Sequence, residues 1–395
     1  MNPIINPYAP GAGTPPPELA GRDELLEKID VAIQRVRLGK PSKSVLMVGL
    51  RGVGKTVLLD RMRELAEARG NETIRIEAPE GRSLPAILLP ELRRSLLRLS
   101  SIKAAEALAT RALKALTGLA KGLKVKFNDI EVGLDFQSEK GLADNGDLES
   151  DLLALLTAVG HAAKAADKAI VILVDELQYV QEDQLAVLIT CLHRLSQLSL
   201  PVMLIGAGLP QLRGKMGNAK SYAERLFDFP AIGPLNFESA RDALVKPAIE
   251  LNVSWDEDAV QSVCDSTRGY PYFLQEWGKC VWDLASNSPI RSDDVYRSMA
   301  IVTAALDESF FRVRFDRLTP SERRYMRAMA ELGEGPHRSG DVADVLQKKV
   351  TALGPNRNSL VNKGMIWSPG HGDTAFTVPM FDQFMKRIMP GNDWL

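Results

Sequence analysis

The sequence predicts an α/β fold, a parallel sheet carrying a phosphate-binding loop, with helices behind it. Three observations predict it. The octapeptide Gly49-Leu50-Arg51-Gly52-Val53-Gly54-Lys55-Thr56 lies between an apolar run, Val45 to Val48, and a helical run, Val57 to Arg69. A second apolar run, Ile170-Val171-Ile172-Leu173-Val174, reads as a strand buried on both faces and ends on Asp175-Glu176. Beyond Leu235 strand signals stop and helices take over.

The elements follow in order. Met1 to Pro17 is rich in Pro and Gly, excludes a regular element and reads as an extended arm. Glu24 to Arg37 carries Leu25, Leu26, Ile29, Ile33 and Val36 at helical spacing and stops at Gly39 and Pro41. After the first strand, the loop and its helix, Thr73 to Ile76 is a second short strand. The pattern is helical from Leu84 to about Leu123, and Lys124 to Phe136 alternates as a hairpin around Asn128-Asp129. This block, about 84–147, separates the two phosphate-site motifs and reads as an insertion. Helices at Leu148–Ala165 and Asp183–Gln197 flank the acidic strand, and Val202 to Ile205 is another buried strand. Four helices follow at 238–251, 257–267, 272–285 and 293–311. Thr319-Pro320-Ser321-Glu322 is a capping box opening three further helices, with two β-like runs behind them, Met365–Trp367 and Ala375–Val378. Helix, helix, helix, hairpin is a winged-helix pattern.

The chemistry of the two motifs is specific. Small residues let backbone N–H groups curl around a triphosphate, and the helix N-terminus adds its positive dipole. Lys55 is placed to contact the β- and γ-phosphates and Thr56 to ligate Mg²⁺, with Gly49 to Val57 as the cradle. Ligands of open α/β sheets bind at the carboxyl ends of the strands, so Asp175 can hold Mg²⁺ through water and Glu176 can activate an attacking water. Paired acids favour hydrolysis over phosphate transfer. A guanine-reading Asn-Lys-x-Asp is missing: Asn362-Lys363 continues with Gly364-Met365, so the base reads as adenine and the nucleotide as ATP.

Composition excludes other classes. A net charge of -1 over 395 residues rules out a polybasic nucleic-acid coat, and any DNA contact is local. Cys191, Cys264 and Cys280 lack metal or disulfide spacing and read as reduced core residues of a cytoplasmic protein. His161, His193, His337 and His371 show no ligand spacing, so no metal beyond Mg²⁺ is expected. No signal peptide or transmembrane segment is legible. Ile102 to Phe127 carries six Lys or Arg against Glu106 alone, a composition that could grip phosphates or a membrane surface. With its leucine stripe it reads rather as a core helix with a solvated basic face.

With these motifs placed, the chain resembles the AAA+ P-loop ATPases, in the branch near initiator ATPases and STAND signalling ATPases. The resemblance rests on Asn6-Pro7-Tyr8, Pro10-Gly11-Ala12-Gly13, Leu19-Ala20-Gly21-Arg22-Asp23-Glu24, the two phosphate motifs, Gly269-Tyr270-Pro271 and the winged-helix pattern. It implies that Gly21 and Arg22 pack by the adenine, that Pro271 closes over base and ribose, and that Arg225 reaches a neighbouring subunit's phosphate in an ATP-bound homo-oligomer. It also implies an arm over 1–20, a core over 21–235, a helical lid over 236–315 and a winged-helix domain over 316–395. Two departures, Gly206-Ala207-Gly208 where a polar sensor is expected and Tyr272 where a phosphate-sensing Arg is common, imply slow turnover and a switch-like use of ATP. The output is read first as duplex DNA, with a protein partner as the alternative. Arg357, Lys363, Lys348 and Lys349 cluster around the would-be recognition helix and point to double-stranded DNA, although 319–395 holds ten Lys and Arg against eight Asp and Glu, a net of +2. The other output is a protein effector, as in a regulatory switch or a mobile-element or defence system.

Overall fold

The computed structural model describes residues 1–11, 13–78, 80–122, 139, 141–391 and 393–394. Five strands form one parallel sheet: β1 (Ser44–Val48), β2 (Glu72–Glu77), β3 (Ile170–Asp175), β4 (Val202–Gly208) and β5 (Phe227–Asp228), in the order β2-β3-β4-β1-β5. Val48 pairs with Gly208, Val174 with Gly206 and Glu77 with Asp175, so the loop after β1 and the acids ending β3 emerge at one end of the sheet, with the tip of β4 between them.

Alternation along the strands builds two apolar layers. Val45, Met47, Val171, Leu173, Met203 and Ile205 face α1 (Asp23–Arg37) and α2 (Lys55–Ala68). Leu46, Ile74, Ile172, Val174 and Leu204 face the opposite layer, which holds α3 (Leu84–Ser100), α4 (Glu106–Gly122), α5 (Leu148–Ala165) and α6 (Glu182–Gln197). Both faces are covered, which is why β3 and β4 are apolar without interruption. The predicted helical block from Leu84 is two helices broken at 101–105. The predicted hairpin at 124–136 lies outside the described residues, as do Leu123, Lys124 and Lys126 of the basic stretch. Within α4, Leu113, Leu116 and Leu119 are buried while Arg111 and Lys121 are exposed, the pattern of a packed helix with a solvated basic edge.

Two short helices, α7 (Leu212–Ala219) and α8 (Ala223–Leu226), lead into β5. The helical region then runs α9 (Phe237–Ile249), α10 (Glu257–Thr267), α11 (Pro271–Leu284) and α12 (Ser292–Leu306). The last of these does not stop at Phe311 as the periodicity predicted. It widens into a π-helical turn over Asp307–Arg312 and continues as α13 (Val313–Phe315). The arm is not wholly irregular either, since Pro3–Ile5 forms a 3₁₀ turn with Asn2 as its cap.

The C-terminal region comprises α14 (Pro320–Leu332), β6 (His337–Arg338), α15 (Ser339–Val345), α16 (Val350–Asn362), β7 (Ile366–Trp367), β8 (Asp373–Phe376) and α17 (Phe381–Ile388). Its small sheet is antiparallel in the order β6-β8-β7. The capping box is formed: Thr319 accepts from the Glu322 N–H, and the Glu322 carboxylate accepts from the Thr319 N–H at 2.7 Å. The reading missed α17, although Phe381, Phe384 and Met385 bury one face at helical spacing.

Candidate active site

The loop begins where β1 ends. Gly52 and Gly54 take φ of +79° and +87°, the left-handed region that costs glycine nothing and turns successive N–H groups toward one centre. Gly54 is also the N-cap of α2, so the unpaired donors of that helix's first turn open into the same space. Lys55 is buried, and its Nζ donates to the carbonyls of Gly49 at 2.9 Å and Leu50 at 2.7 Å. Burial pushes its pKa down to about 8, against the attraction of Glu176 and Asp175.

Asp175 closes β3 and is buried, with Oδ1 accepting from the Glu176 N–H at 2.9 Å and Oδ2 paired with Arg75 Nη2 at 3.2 Å. Glu176 has φ of +51° and caps a 3₁₀ turn over Leu177–Tyr179. Its carboxylate accepts from Gln178 Nε2 and lies 3.7 Å from Arg51 Nη1. Arg51 Nη2 donates to the Tyr179 hydroxyl at 2.9 Å, while its Nε is buried with no hydrogen-bond partner among the described residues. The Arg51 backbone N–H donates across to Thr377 O at 3.0 Å, just past β8. One residue of the loop therefore touches the acid motif and the C-terminal region together.

Above the loop is a cavity of about 410 Å³, walled by the arm residues Ala9 to Gly11, Gly13, Thr14, Pro16, Glu18 and Leu19, by Arg22, by Pro271 and Tyr272 at the start of α11, and by Ser309, Phe310 and Arg314 of the π-helical turn and α13. The arm is anchored by Tyr8, which is buried, donates to Leu244 O at 2.5 Å and accepts from Trp255 Nε1 at 3.0 Å. Ala9 N–H donates to Gln275 Oε1 at 3.1 Å. Tyr272 N–H donates to Gly52 O at 3.2 Å, and its ring stacks on Phe310 with centroids 4.7 Å apart. Arg22 lines the wall and donates to Gly233 O at 2.6 Å, its pKa lowered by burial. Arg314 donates to Phe310 O and lies 4.3 Å over that ring; burial first, then the nearby Arg51, pushes its pKa down to about 10.

The wall thus holds four cations, Arg22, Arg51, Lys55 and Arg314, against two acids, Glu18 and Glu176. Glu18 is already paired with Lys246 at 3.2 Å. Such an excess of partly desolvated positive charge is compensated by a bound polyanion.

Of the predicted site residues, Arg51 to Val57, Arg22, Pro271 and Glu176 line this cavity. Gly49 and Leu50 lie behind it, facing a second cleft, and Gly21 sits between the wall residues Ala20 and Arg22 with its Cα against Ser239. Arg225 is exposed on α8 and is not part of the wall. The four basic residues of the C-terminal region divide. Lys348 and Lys349 are exposed at the start of α16. Lys363 is turned inward, donating to Glu322 Oε2 at 2.7 Å and Arg317 O at 3.0 Å. Arg357, expected at the DNA-facing helix, instead braces the small sheet, donating to Thr374 Oγ1 at 3.1 Å, Asp373 O at 3.0 Å and the Ser368 hydroxyl. Sequence reasoning missed Arg314 and Gln178. Arg314 stands one turn after Phe310 on the same helix face, a signal lost because the helix was ended at Phe311.

Residues 18–205 match the family model described as AAA ATPase domain. Residues 308–385, which include most of the π-helical turn, Arg314 and most of the C-terminal region, match a domain of unknown function, DUF8462. No curated protein matches the chain. Among solved structures, the Walker-type ATPase PABY2304 of Pyrococcus abyssi is similar at 16% identity, over 94% of this chain and 97% of that one, with a TM-score of 0.59. RuvB of Thermotoga maritima (14% identity, 94% and 95% covered) and the Aeropyrum pernix ORC1 protein in complex with DNA (16%, 94% and 93%) are weaker likenesses at 0.46. The first supports the fold, that of a P-loop α/β NTPase. The matched segment thus ends within β4, and the cavity is completed by residues outside it, from the arm, α11 and the π-helical turn.

Proposed function

We propose that the chain is an ATP-hydrolysing switch in which the state of the nucleotide loop governs the posture of the C-terminal region. The observation that carries this reading is Arg51: its guanidinium sits between Glu176 and Tyr179 while its backbone is bonded to Thr377. A triphosphate entering the cavity competes for that guanidinium, whose Nε has no partner among the described residues, and so disturbs both attachments.

In this reading Lys55 leaves the Gly49 and Leu50 carbonyls for the β- and γ-phosphates, and Arg314 supplies from the lid side the cation that Tyr272 does not. Arg22, Pro271 and the arm enclose the base and ribose. Thr56 and Asp175 are the residues that would hold Mg²⁺. A donor set of one hydroxyl and one carboxylate, with no cluster of three or more His, Cys, Asp or Glu able to hold a metal among the described residues, suits an ion that keeps waters and substrate phosphates in its shell. Once bound, Mg²⁺ neutralises charge on the β- and γ-phosphates. Glu176 takes a proton from the attacking water as the new P–O bond forms and ADP departs. The restraint on Glu176 and the bare tip of β4 make turnover slow.

The helices α14, α15 and α16 with the β6-β8-β7 sheet are read as a winged helix, in a four-part chain of arm 1–20, core 21–235, lid 236–315 and winged-helix domain 316–395. Because Arg357 and Lys363 are occupied internally and the region carries a net of +2, a protein effector is the better reading of its partner. Duplex DNA is a second reading, favoured by the exposed Lys348 and Lys349 alone. ATP turnover and binding by Glu176→Gln test the enzyme: binding retained with turnover lost is expected, and unchanged turnover removes Glu176 from the mechanism. Salt-insensitive, negligible affinity for duplex DNA is expected; binding that weakens steeply with salt would favour DNA.

A further inference from the structure

The tip of β4 is bare: Gly206-Ala207-Gly208 sends no polar side chain into the gap between the loop and the acids. That gap is filled from elsewhere. A Cβ on Gly208 would stand 2.8 Å from Gln178 Oε1 and 2.8 Å from Leu212 Cδ2, so the glycine makes room for the Gln178 amide. Gln178 is buried at 6% exposure, and both ends of its amide are engaged. Oε1 accepts from the Leu209 N–H at 3.1 Å, immediately after β4, and Nε2 donates to Glu176 Oε2. A backbone N–H can only donate, so the sense of the amide is set: the carbonyl faces β4 and the NH₂ faces the carboxylate. The Gln178 backbone is held in turn, since Lys215 Nζ from α7 donates to Gln178 O at 2.9 Å and to Val180 O.

We infer that Gln178 is the positioning residue for the hydrolytic carboxylate, delivering from the turn after β3 the polar group that the tip of β4 lacks. It holds Glu176 Oε2 with one donor and leaves Oε1 to meet Arg51 and water. A backbone at φ of +51° has few other restraints on where that carboxylate points. The chain Lys215, Gln178, Glu176 ties the loop after β4 to the acid. This inference rests on the reading of Glu176 as the water-activating group.

The test is steady-state turnover and ATP binding by the full chain carrying Gln178→Met, which keeps length and removes the donor, and Gln178→Glu, which keeps shape and turns the donor into a repelling acid. Both are expected to lower kcat by about tenfold or more with ATP affinity within about twofold of wild type. Neither should lower the residual turnover of Glu176→Gln further, because the positioned group is already gone. Wild-type kcat in Gln178→Met, or a loss that multiplies fully onto Glu176→Gln, overturns the inference while leaving the role of Glu176 intact. Full turnover by Glu176→Gln overturns both. If thermal melting shows Gln178→Met misfolded, Gln178→Glu alone decides by the same criteria.

Discussion

Lys55 is an ammonium buried among carbonyls, and burial holds its pKa down near 8 against the attraction of Glu176 and Asp175. The charged form is what phosphate selects, so the sign is fixed: below about pH 8 the proton is already in place, and above it binding must also take one up. ATP affinity should therefore be flat from pH 6.5 to 7.5 and fall by about tenfold per unit above about pH 8.5. Titration with ATP across that range checks it; Lys55→Ala should show no measurable binding at any pH. The loop and its lysine were legible because the spacing of Gly49, Gly54 and Lys55 is dictated by phosphate geometry. The same holds for Asp175 and Glu176, which end an unbroken apolar strand. Arg314 and Gln178 were not legible, since their roles arise from packing: one depends on a helix continuing through a π turn, the other on space left by Gly208 some thirty residues away.

At the scale of elements, local signals were strongest where one motif satisfies its own backbone. The Thr319 to Glu322 capping box opens α14 as expected, but its carboxylate has a second task. Glu322 is buried and accepts from Lys363 at 2.7 Å and Ser359 at 2.7 Å on α16, besides the Thr319 N–H. Burial alone would raise its pKa, and these donors reverse that, pulling it from 4.5 to about 2. A depressed carboxylate contributes stability above its unfolded pKa and loses it as pH falls through the folded one. The clamp between α14 and α16 should hold above about pH 5 and weaken progressively towards pH 2, by on the order of 1–3 kcal/mol. Urea unfolding at pH 6, 4 and 3 should show that loss in wild type; Glu322→Gln should start lower and vary less. The cationic partner was misread because sequence shows Lys363 as a charge beside a helix, and only the fold shows the buried acid waiting for it. The ends of elements were misplaced for a similar reason: α13 and α17 are decided by aromatic packing of Phe311, Phe315, Phe381 and Phe384 on one another.

At the scale of the molecule, sheet order and the division into an α/β core and following helices were readable from strand composition alone only in part. Buried strands announce themselves, whereas their order β2-β3-β4-β1-β5 follows from crossovers that no short window records. Arg225 belongs to this scale. It is exposed beside β5 and contributes nothing to its own cavity, so any catalytic use needs a neighbour. Mixing Arg225→Ala with Lys55→Ala should then restore part of the lost turnover, each supplying what the other lacks; a fully active monomer would end that reading. The central claim is that filling the cavity loosens the C-terminal region from the loop at Arg51. All three native cysteines are buried, so spin labels can be directed to Lys164→Cys on α5 and Lys348→Cys beside α16. In the Glu176→Gln background, which traps bound nucleotide, the label distance distribution should shift or broaden when ATP and Mg²⁺ are added. It should stay put when Lys55→Ala is also present. An unchanged distribution with ATP demonstrably bound would contradict the account.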